Sequence, residues 1–324
     1  MISTTKLVAV DAYIPEKKLT NMDLEKMIET SDEWIIRRTG IKERRIADFS
    51  EFASTMAIHA VENLIAHHNV DISDVDMIIV STFTPDHYIP SVSCLVQQHF
   101  QIEHCGAIDL NAACSGFVYA LTVANGLITC GSNKKILVIA SETVSKTVDY
   151  TDRGTCILFG DGAGVALLQE DPASASFIAS YSATNGVLGD KLYCSNLSQS
   201  ILDEEVIKQR QVVQDGKAIF NFATKEVALG IQCLLKRAKL AINDIDWFVP
   251  HSANKRIIDL LCKKLDFPIE NTLTSVQNFG NTSSASIPLA LNLALEKNII
   301  KKGDTLLLYG FGGGVTQAGT IIKW

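Results

Sequence analysis

The sequence predicts a layered α/β fold built twice from one plan, and three observations carry that reading. Strand-like runs are short and almost wholly apolar, helix-length stretches alternate with them, and the two halves of the chain repeat the same signals in the same order. The strand runs are residues 77–80, 136–140, 163–168, 247–249, 305–309 and 320–322. None alternates with polar residues, the pattern of strands covered on both faces. Helices are predicted over residues 52–67, 117–129, 226–240, 255–264 and 287–297, each amphipathic or wholly apolar.

The repeat is read from spacing. Ile72-Ser-Asp-Val-Asp-Met-Ile-Ile-Val is echoed by Ile242-Asn-Asp-Ile-Asp-Trp-Phe-Val-Pro, which sets Asp76 and Asp246 170 positions apart. Lys135 and Lys302, each ahead of a strand run, stand 167 apart. Near the middle of each half a small-residue turn opens an apolar helix: Asn111-Ala-Ala-Cys-Ser-Gly-Phe in the first and Gly280-Asn-Thr-Ser-Ser-Ala-Ser in the second. We therefore expect halves at residues 1–172 and 173–324, with Asn281 and Cys114 at mirror-related positions and the polar stretch 186–215 as an irregular entry to the second half.

Composition bounds the function classes. Of 324 residues, 47% are hydrophobic and 20% charged, which excludes a disordered or fibrous chain. The net charge of -7 gives no global attraction to nucleic acid or anionic membranes, so neither is expected as a partner. The first apolar run, residues 7–10, stops at Asp11, too short for a secretory signal. No run reaches the ~18–20 apolar residues of a membrane span, and a cytoplasmic protein is expected. The eight cysteines include no C-x-x-C pair, so no metal site is predicted. Cys94, Cys130, Cys233 and Cys262 are read as buried, inert packing residues.

Cys114 is different. It follows a strand-like run and small residues, and it precedes Ser115-Gly116 and an apolar helix, a setting at a helix N-terminus that favours a thiolate and lowers the thiol pKa. A sulfur there can attack a thioester. His251, in Val-Pro-His-Ser-Ala-Asn, directly follows a buried strand, where α/β sheets present their ligands. His59, His67, His68, His99 and His104 lie in helical or surface-like contexts and read as structural, while His87 is a loop residue without an assigned role. Asn281 opens the helix equivalent to the one that Cys114 opens, where an Asn is also an ordinary N-cap. The run Gly310-Phe-Gly-Gly-Gly allows close backbone approach, so its N–H groups suit an oxyanion hole. Phe159-Gly-Asp-Gly-Ala-Gly looks like a nucleotide-binding loop, but it precedes a strand, and a dinucleotide cofactor is rejected.

Taken together, Asn111-Ala-Ala-Cys114-Ser-Gly, Val249-Pro-His251-Ser-Ala-Asn254, Gly280-Asn281-Thr-Ser-Ser-Ala-Ser-Ile-Pro and Phe311-Gly-Gly-Gly resemble β-ketoacyl-[acyl-carrier-protein] synthase III, the condensing enzyme that initiates bacterial fatty acid synthesis. The similarity runs from Tyr13-Ile-Pro to Trp324 and includes Thr30-Ser-Asp-Glu-Trp34 and Thr151-Asp-Arg153. It implies a thiolase-like, duplicated αβαβα layered fold and a homodimer. It also implies an acyltransferase that needs no cofactor, taking a coenzyme A thioester and malonyl-acyl-carrier-protein as substrates in a ping-pong cycle.

By the same resemblance, Cys114 is the acylated nucleophile, and its N–H and that of Gly313 form the oxyanion hole. His251 and Asn281 stabilise the enolate left by decarboxylation; Asn, unlike Glu, has no acidic proton with which to quench it, which argues against the hydroxymethylglutaryl-CoA synthase branch. Trp34 and Arg153 sandwich adenine, and Arg38 lies near the coenzyme A phosphates. Ser252, Ala253, Asn254, Lys255 and Arg256, with Lys263 and Lys264 nearby, dock the acidic carrier. Two positions depart from the family: Asn221 replaces a docking Lys, with Lys217 and Lys225 close in sequence, and Ile89 replaces a Phe that limits the acyl pocket beside Phe311. The smaller Ile89 implies branched or longer primers. Three other readings stand beside the condensing enzyme: a ketosynthase III-like acyltransferase of secondary metabolism, a carrier-binding module without turnover, and a Cys/His hydrolase.

Overall fold

In the computed structural model, which describes residues 2–324, the apolar runs pair into two main sheets. The first holds β1 (Thr5–Tyr13), β2 (Met77–Ser81), β3 (Gly106–Leu110), β4 (Lys135–Glu142) and β5 (Gly162–Glu170) in the spatial order β1-β5-β4-β2-β3. The second holds β6 (Phe177–Thr184), β7 (Trp247–Pro250), β8 (Thr305–Gly312) and β9 (Thr316–Lys323) in the order β7-β8-β9-β6. β2 runs parallel to β3 and β4, and β7 parallel to β8; the other neighbours are antiparallel. Parallel neighbours need long crossovers, which helices supply.

The main helices are α1 (Asp32–Thr39), α2 (Ala53–His68), α3 (Val92–Phe100), α4 (Gly116–Thr129), α5 (Gly216–Ala238), α6 (Lys255–Leu265) and α7 (Ser286–Glu296). α4 and α7 touch strands of both sheets and form the central layer. α2 and α3 cover the outer face of the first sheet, and α5 and α6 that of the second, giving the five layers of an αβαβα sandwich of the thiolase-like class. The missing polar alternation follows directly. Ile79 and Val138 face the central layer with Phe117 and Leu121, while their neighbours Ile78, Val80, Leu137 and Ile139 face Met56, Val61 and Leu64 of α2.

The repeat register is 170 at the strands and central helices that build the site. Met77 and Trp247 begin β2 and β7, Lys135 and Thr305 begin β4 and β8, and Gly116 and Ser286 begin α4 and α7. The Asp76 N–H donates to the Lys135 carbonyl and the Asp246 N–H to the Thr305 carbonyl, both at 2.9 Å. Lys135 therefore matches Thr305 and not Lys302; the lysine pair was a coincidence three positions out of step. For the same reason Asn281 mirrors Asn111, not Cys114, and the mirror of Cys114 is Ser284.

Other sequence expectations also shift. The helix predicted at residues 226–240 begins ten residues earlier, because the Asp215 carboxylate accepts from the N–H groups of Lys217 and Ala218 and Phe222 is drawn into the core. Among the described residues α5 alone is long and apolar enough to cross a membrane; Ile219, Phe222, Val227, Ile231 and Leu234 bury one side of it in the core beside the second sheet. The entry segment is a flap of short paired pieces, Leu192–Cys194 with Val212–Gln214 and Ser200–Ile201 with Glu204–Glu205. All eight cysteines are free. Of the four read as buried packing residues only Cys262 is buried, since Cys94, Cys130 and Cys233 fall on exposed positions of α3, the end of α4 and α5.

Candidate active site

The two halves deliver their loops to one cavity of about 910 Å³. Each loop sits where a buried strand ends or a central helix begins. Cys114 lies in the single 3-10 turn Ala113–Ser115 ahead of α4, His251 directly follows β7, Asn281 precedes the matching turn Ser283–Ala285 ahead of α7, and Gly313 follows β8. Cys114, His251, Asn281, Phe311 and Gly313 all line the cavity, with Trp34 and Arg38 among its other lining residues.

The fit around the sulfur depends on missing side chains. A Cβ on Gly312 would stand 2.6 Å from Cys114 Cβ and 2.9 Å from its Sγ, and one on Gly310 would stand 2.7 Å from Ser115 Cα. Only glycine admits strand β8 so close to the turn. The Cys114 side chain is buried, with the Ser283 hydroxyl and the N–H groups of Gly313 and Cys114 itself favouring its charged form. The helix setting predicts a lowered thiol pKa, and the structure reverses it: burial outweighs those groups and pushes the thiol up to about 12. The sulfur rests as a thiol.

His251 is 1% exposed, and burial pushes its imidazole down to about 3, so it stays neutral. Its Nδ1 lies 2.7 Å from Ser286 Oγ, which also accepts the Ser252 N–H. With the imidazole proton on Nε2, the Ser286 hydroxyl donates to Nδ1 while accepting the Ser252 N–H. Phe311 stands edge-on to the imidazole, ring centres 5.3 Å apart. Asn281 is fixed from both sides: its N–H donates to the Leu158 carbonyl at 2.9 Å, and its Oδ1 accepts the Ser283 N–H at 2.9 Å. The amide NH₂ is left to donate.

Away from the sulfur, Arg153 and Arg38 place their guanidinium carbons 4.9 and 5.6 Å from the centre of the Trp34 ring. The candidate docking face needs one correction. Ser252 is fully buried and its hydroxyl accepts the Ser275 N–H, so its side chain cannot meet a partner. Asn254 caps α6 and donates to the Arg38 carbonyl, Ala253 is half-buried, Lys255 pairs with Asp259 at 2.7 Å, and Arg256 lies over Phe220. Ile89 is 87% exposed and does not line this chain's cavity. His87 is exposed, and His67 and His68 meet Asp11.

Sequence reasoning missed Ser283, Ser286 and Glu142. The serines were legible only as small residues in a turn. Glu142 carried a signal of its own, a charge closing an otherwise apolar strand run.

A duplicated αβαβα sandwich whose halves bring a cysteine, a neutral histidine and an amide into one cavity defines a condensing acyltransferase of the thiolase-like class. Residues 108–186 match the family described as 3-oxoacyl-[acyl-carrier-protein] synthase III, and residues 235–324 match its C-terminal part. The chain is 53% identical to β-ketoacyl-[acyl-carrier-protein] synthase III 2 of Bacillus anthracis, over 100% of this chain and 99% of that one. It is 50% identical to the protein of the same name from Bacillus subtilis, with the same coverage. The solved β-ketoacyl-[acyl-carrier-protein] synthase III of Thermus thermophilus superposes with a TM-score of 0.95 at 39% identity over 98% of each chain. The chain belongs to the β-ketoacyl-[acyl-carrier-protein] synthase III family, the condensing acyltransferases that initiate fatty acid synthesis.

Proposed function

We propose that Cys114 takes an acyl group from an acyl-CoA primer and passes it to the carbanion formed by decarboxylation of malonyl-acyl-carrier-protein. The observation that carries this reading is the close approach of the Gly312 backbone to a buried Cys114 sulfur that shares one cavity with His251 and Asn281. That approach suits the N–H groups of Gly313 and Cys114 to hold the thioester oxygen of the acylated sulfur, where charge develops. In the second half-reaction the Nε2–H of His251 and the NH₂ of Asn281 donate to the malonyl thioester oxygen. Both donors are neutral, so they stabilise the enolate without a proton acidic enough to quench it. The product is a 3-oxoacyl-carrier thioester.

Trp34, Arg38 and Arg153 serve coenzyme A. Arg153 already stacks near Trp34, so an adenine enters as the guanidinium swings aside and then covers the base's other face. Lys255 and Arg256, with Lys217, Lys225 and Lys263, offer the acidic carrier a cationic rim. Ile89, exposed on the single chain, fits a homodimer in which it limits the partner's acyl pocket with room for branched or longer primers. Residues 1–172 and 173–324 are the two halves, the chemistry requires no cofactor, and a cytoplasmic location suits thioester substrates and eight free cysteines.

Intact-mass spectrometry after incubation with acetyl-, isobutyryl- and isovaleryl-CoA tests the proposal. An adduct absent from Cys114→Ala and chased by malonyl-acyl-carrier-protein to a ketoacyl product supports it. An adduct that cannot be chased supports the dedicated acyltransferase, a reading favoured by the 32% identity and TM-score of 0.91 to the priming β-ketosynthase of the R1128 polyketide pathway. Turnover with acetyl-CoA equal to or faster than with isobutyryl-CoA overturns the primer assignment.

A further inference from the structure

The Arg44 side chain is fully buried, and no step above uses it. It stands in the short strand Glu43–Arg45, and all its hydrogen bonds go to neutral oxygens. Nε donates to the Ile157 carbonyl at 3.0 Å, Nη2 donates to the same carbonyl, and Nη1 donates to Asn21 Oδ1 at 2.6 Å. Burial pushes the guanidinium down to about 10, so it remains charged at neutral pH. A buried cation that meets only neutral partners costs stability, so packing alone does not account for it.

What it holds is the segment that clamps Asn281. Next to Ile157, the Leu158 carbonyl accepts the Asn281 N–H at 2.9 Å, and the Gly160 N–H donates to the Asn281 carbonyl at 3.1 Å. Both main-chain groups of Asn281 are therefore committed to residues 158–160, and its Oδ1 to the Ser283 N–H. Residues 42–45 brace both sides of this contact. The Lys42 N–H donates to the Gln277 carbonyl at 2.8 Å, just ahead of Asn281, and the Arg45 carbonyl accepts the Asp161 N–H at 2.8 Å, just beyond Gly160. The fit is close, since a Cβ on Gly160 would stand 2.3 Å from the Phe279 carbonyl oxygen. Gly160, in the run that looks like a nucleotide-binding loop, thus has a use without a nucleotide.

We propose that Arg44 is a positioning residue for the condensation step: through the Ile157 carbonyl it fixes the segment that sets where the Asn281 amide stands. The inference rests on reading Asn281 as a donor to the enolate. Two N–H groups of one planar guanidinium fix both the place and the direction of the Ile157 carbonyl, which the rotating head of a lysine does not. A donor to developing charge loses its effect when it shifts by a fraction of an ångström to an ångström. Among the described residues no hydrogen bond joins residues 157–160 to the turn that carries Cys114, so acylation is spared.

Single-turnover acylation at saturating acyl-CoA, then a chase of the acyl-enzyme by malonyl-acyl-carrier-protein, tests this in wild type, Arg44→Lys, Asn281→Ala and the double variant, with both steps followed by quench-flow mass spectrometry. Arg44→Lys is expected to acylate within about twofold of wild type and to be chased about thirtyfold more slowly, as for a donor displaced by less than an ångström. In the Asn281→Ala background the same substitution should slow the chase by less than about twofold more, because the amide it positions is gone. A residue that only held the fold together would slow both half-reactions and multiply with Asn281→Ala. A folded Arg44→Lys chased within about fivefold of wild type, an acylation loss as large as the chase loss, or multiplied losses in the double variant overturns the assignment. Melting temperatures report folding. Should Arg44→Lys not fold, Asn21→Ala, which removes the acceptor of Nη1 and leaves Arg44 intact, carries the same cycle. A chase loss that disappears in the Asn281→Ala background then supports the assignment, and an unchanged chase or multiplied losses overturn it. An Asn281→Ala enzyme chased as fast as wild type sinks the donor reading instead.

Discussion

Ala113 and Ser283 stand 170 positions apart, and both hold the left-handed backbone, with φ of 46° and 51°. Left-handed φ is uncommon for residues with a Cβ, and here it recurs at the same place in both halves. It is the turn that brings each central helix against the end of the sheets. One copy presents Cys114 and the other follows Asn281, so a single strained geometry used twice builds the cavity from two directions.

Gly312→Ala tests how tightly that geometry is set. Gly312 has extended backbone that any residue adopts, so the cost comes only from a Cβ 2.6 Å from Cys114 Cβ. Displacing the sulfur by a fraction of an ångström to an ångström costs on the order of a hundredfold in rate. Acyl-adduct formation should fall by about that factor, and the melting temperature should drop as expected for about 1–3 kcal/mol of overpacking.

Asn281→Asp separates the two half-reactions. The aspartate keeps the oxygen that accepts the Ser283 N–H but loses the amide donor and adds negative charge where an enolate forms. The acyl adduct should still form within a fewfold of the wild-type rate, and its chase by malonyl-acyl-carrier-protein should slow by about 10²–10³, the usual loss for one oxyanion donor. Quench-flow mass spectrometry of each step separates the two.

Ser286→Ala tests the imidazole tautomer. Without the 2.7 Å partner on Nδ1, the proton divides between the two ring nitrogens and Nε2 is no longer held as the donor. Condensation should slow about five- to tenfold, the kinetic worth of one ordinary hydrogen bond, with acylation unchanged. The ¹⁵N shifts of labelled His251 should move from a single-tautomer pattern towards an averaged one.

Stability should carry the signature of Glu142. Its folded pKa of about 7 lies above the ordinary 4.5, so between those values the folded state keeps a proton that the unfolded state has released. This contribution is full below pH 4.5 and is lost as pH rises to 7, with a slope of up to ~1.4 kcal/mol per pH unit. Glu142→Gln lacks it, and the buried His251 is common to both proteins. The stability of wild type relative to Glu142→Gln should therefore fall from pH 4.5 to 7 and level off above, as read by urea unfolding at each pH.

Most strands and helices, the duplication and the residues meeting in the cavity were legible in the sequence, because buried strands must be apolar and a turn that packs against a strand must be small; β1, β6, α1 and α3 were not among the predicted elements. What was not legible depends on three-dimensional neighbours. The thiol pKa turned on burial, which local helix geometry does not report. Ser252 reads as a polar surface residue until its hydroxyl is seen to accept the Ser275 N–H in the core. Glu142 could not be tied to the turn ahead of α7, since Ser283, which donates to it, comes from the other half, 141 positions along the chain.

The 170-residue register also shows what duplication has made irreversible. Opposite Cys114 stands Ser284, opposite His251 stands Ser81, and opposite Gly312, whose bareness leaves room for the sulfur, stands the side chain of Glu142. The mirror image of the cavity is thus filled by a carboxylate that accepts from Ser284, the residue standing where a thiol would be. Where one half holds a chamber, the other holds a buttress. Two copies of either half, however well they paired, would lack the imidazole or the thiol, so one copy of each half has become a condition of the chemistry.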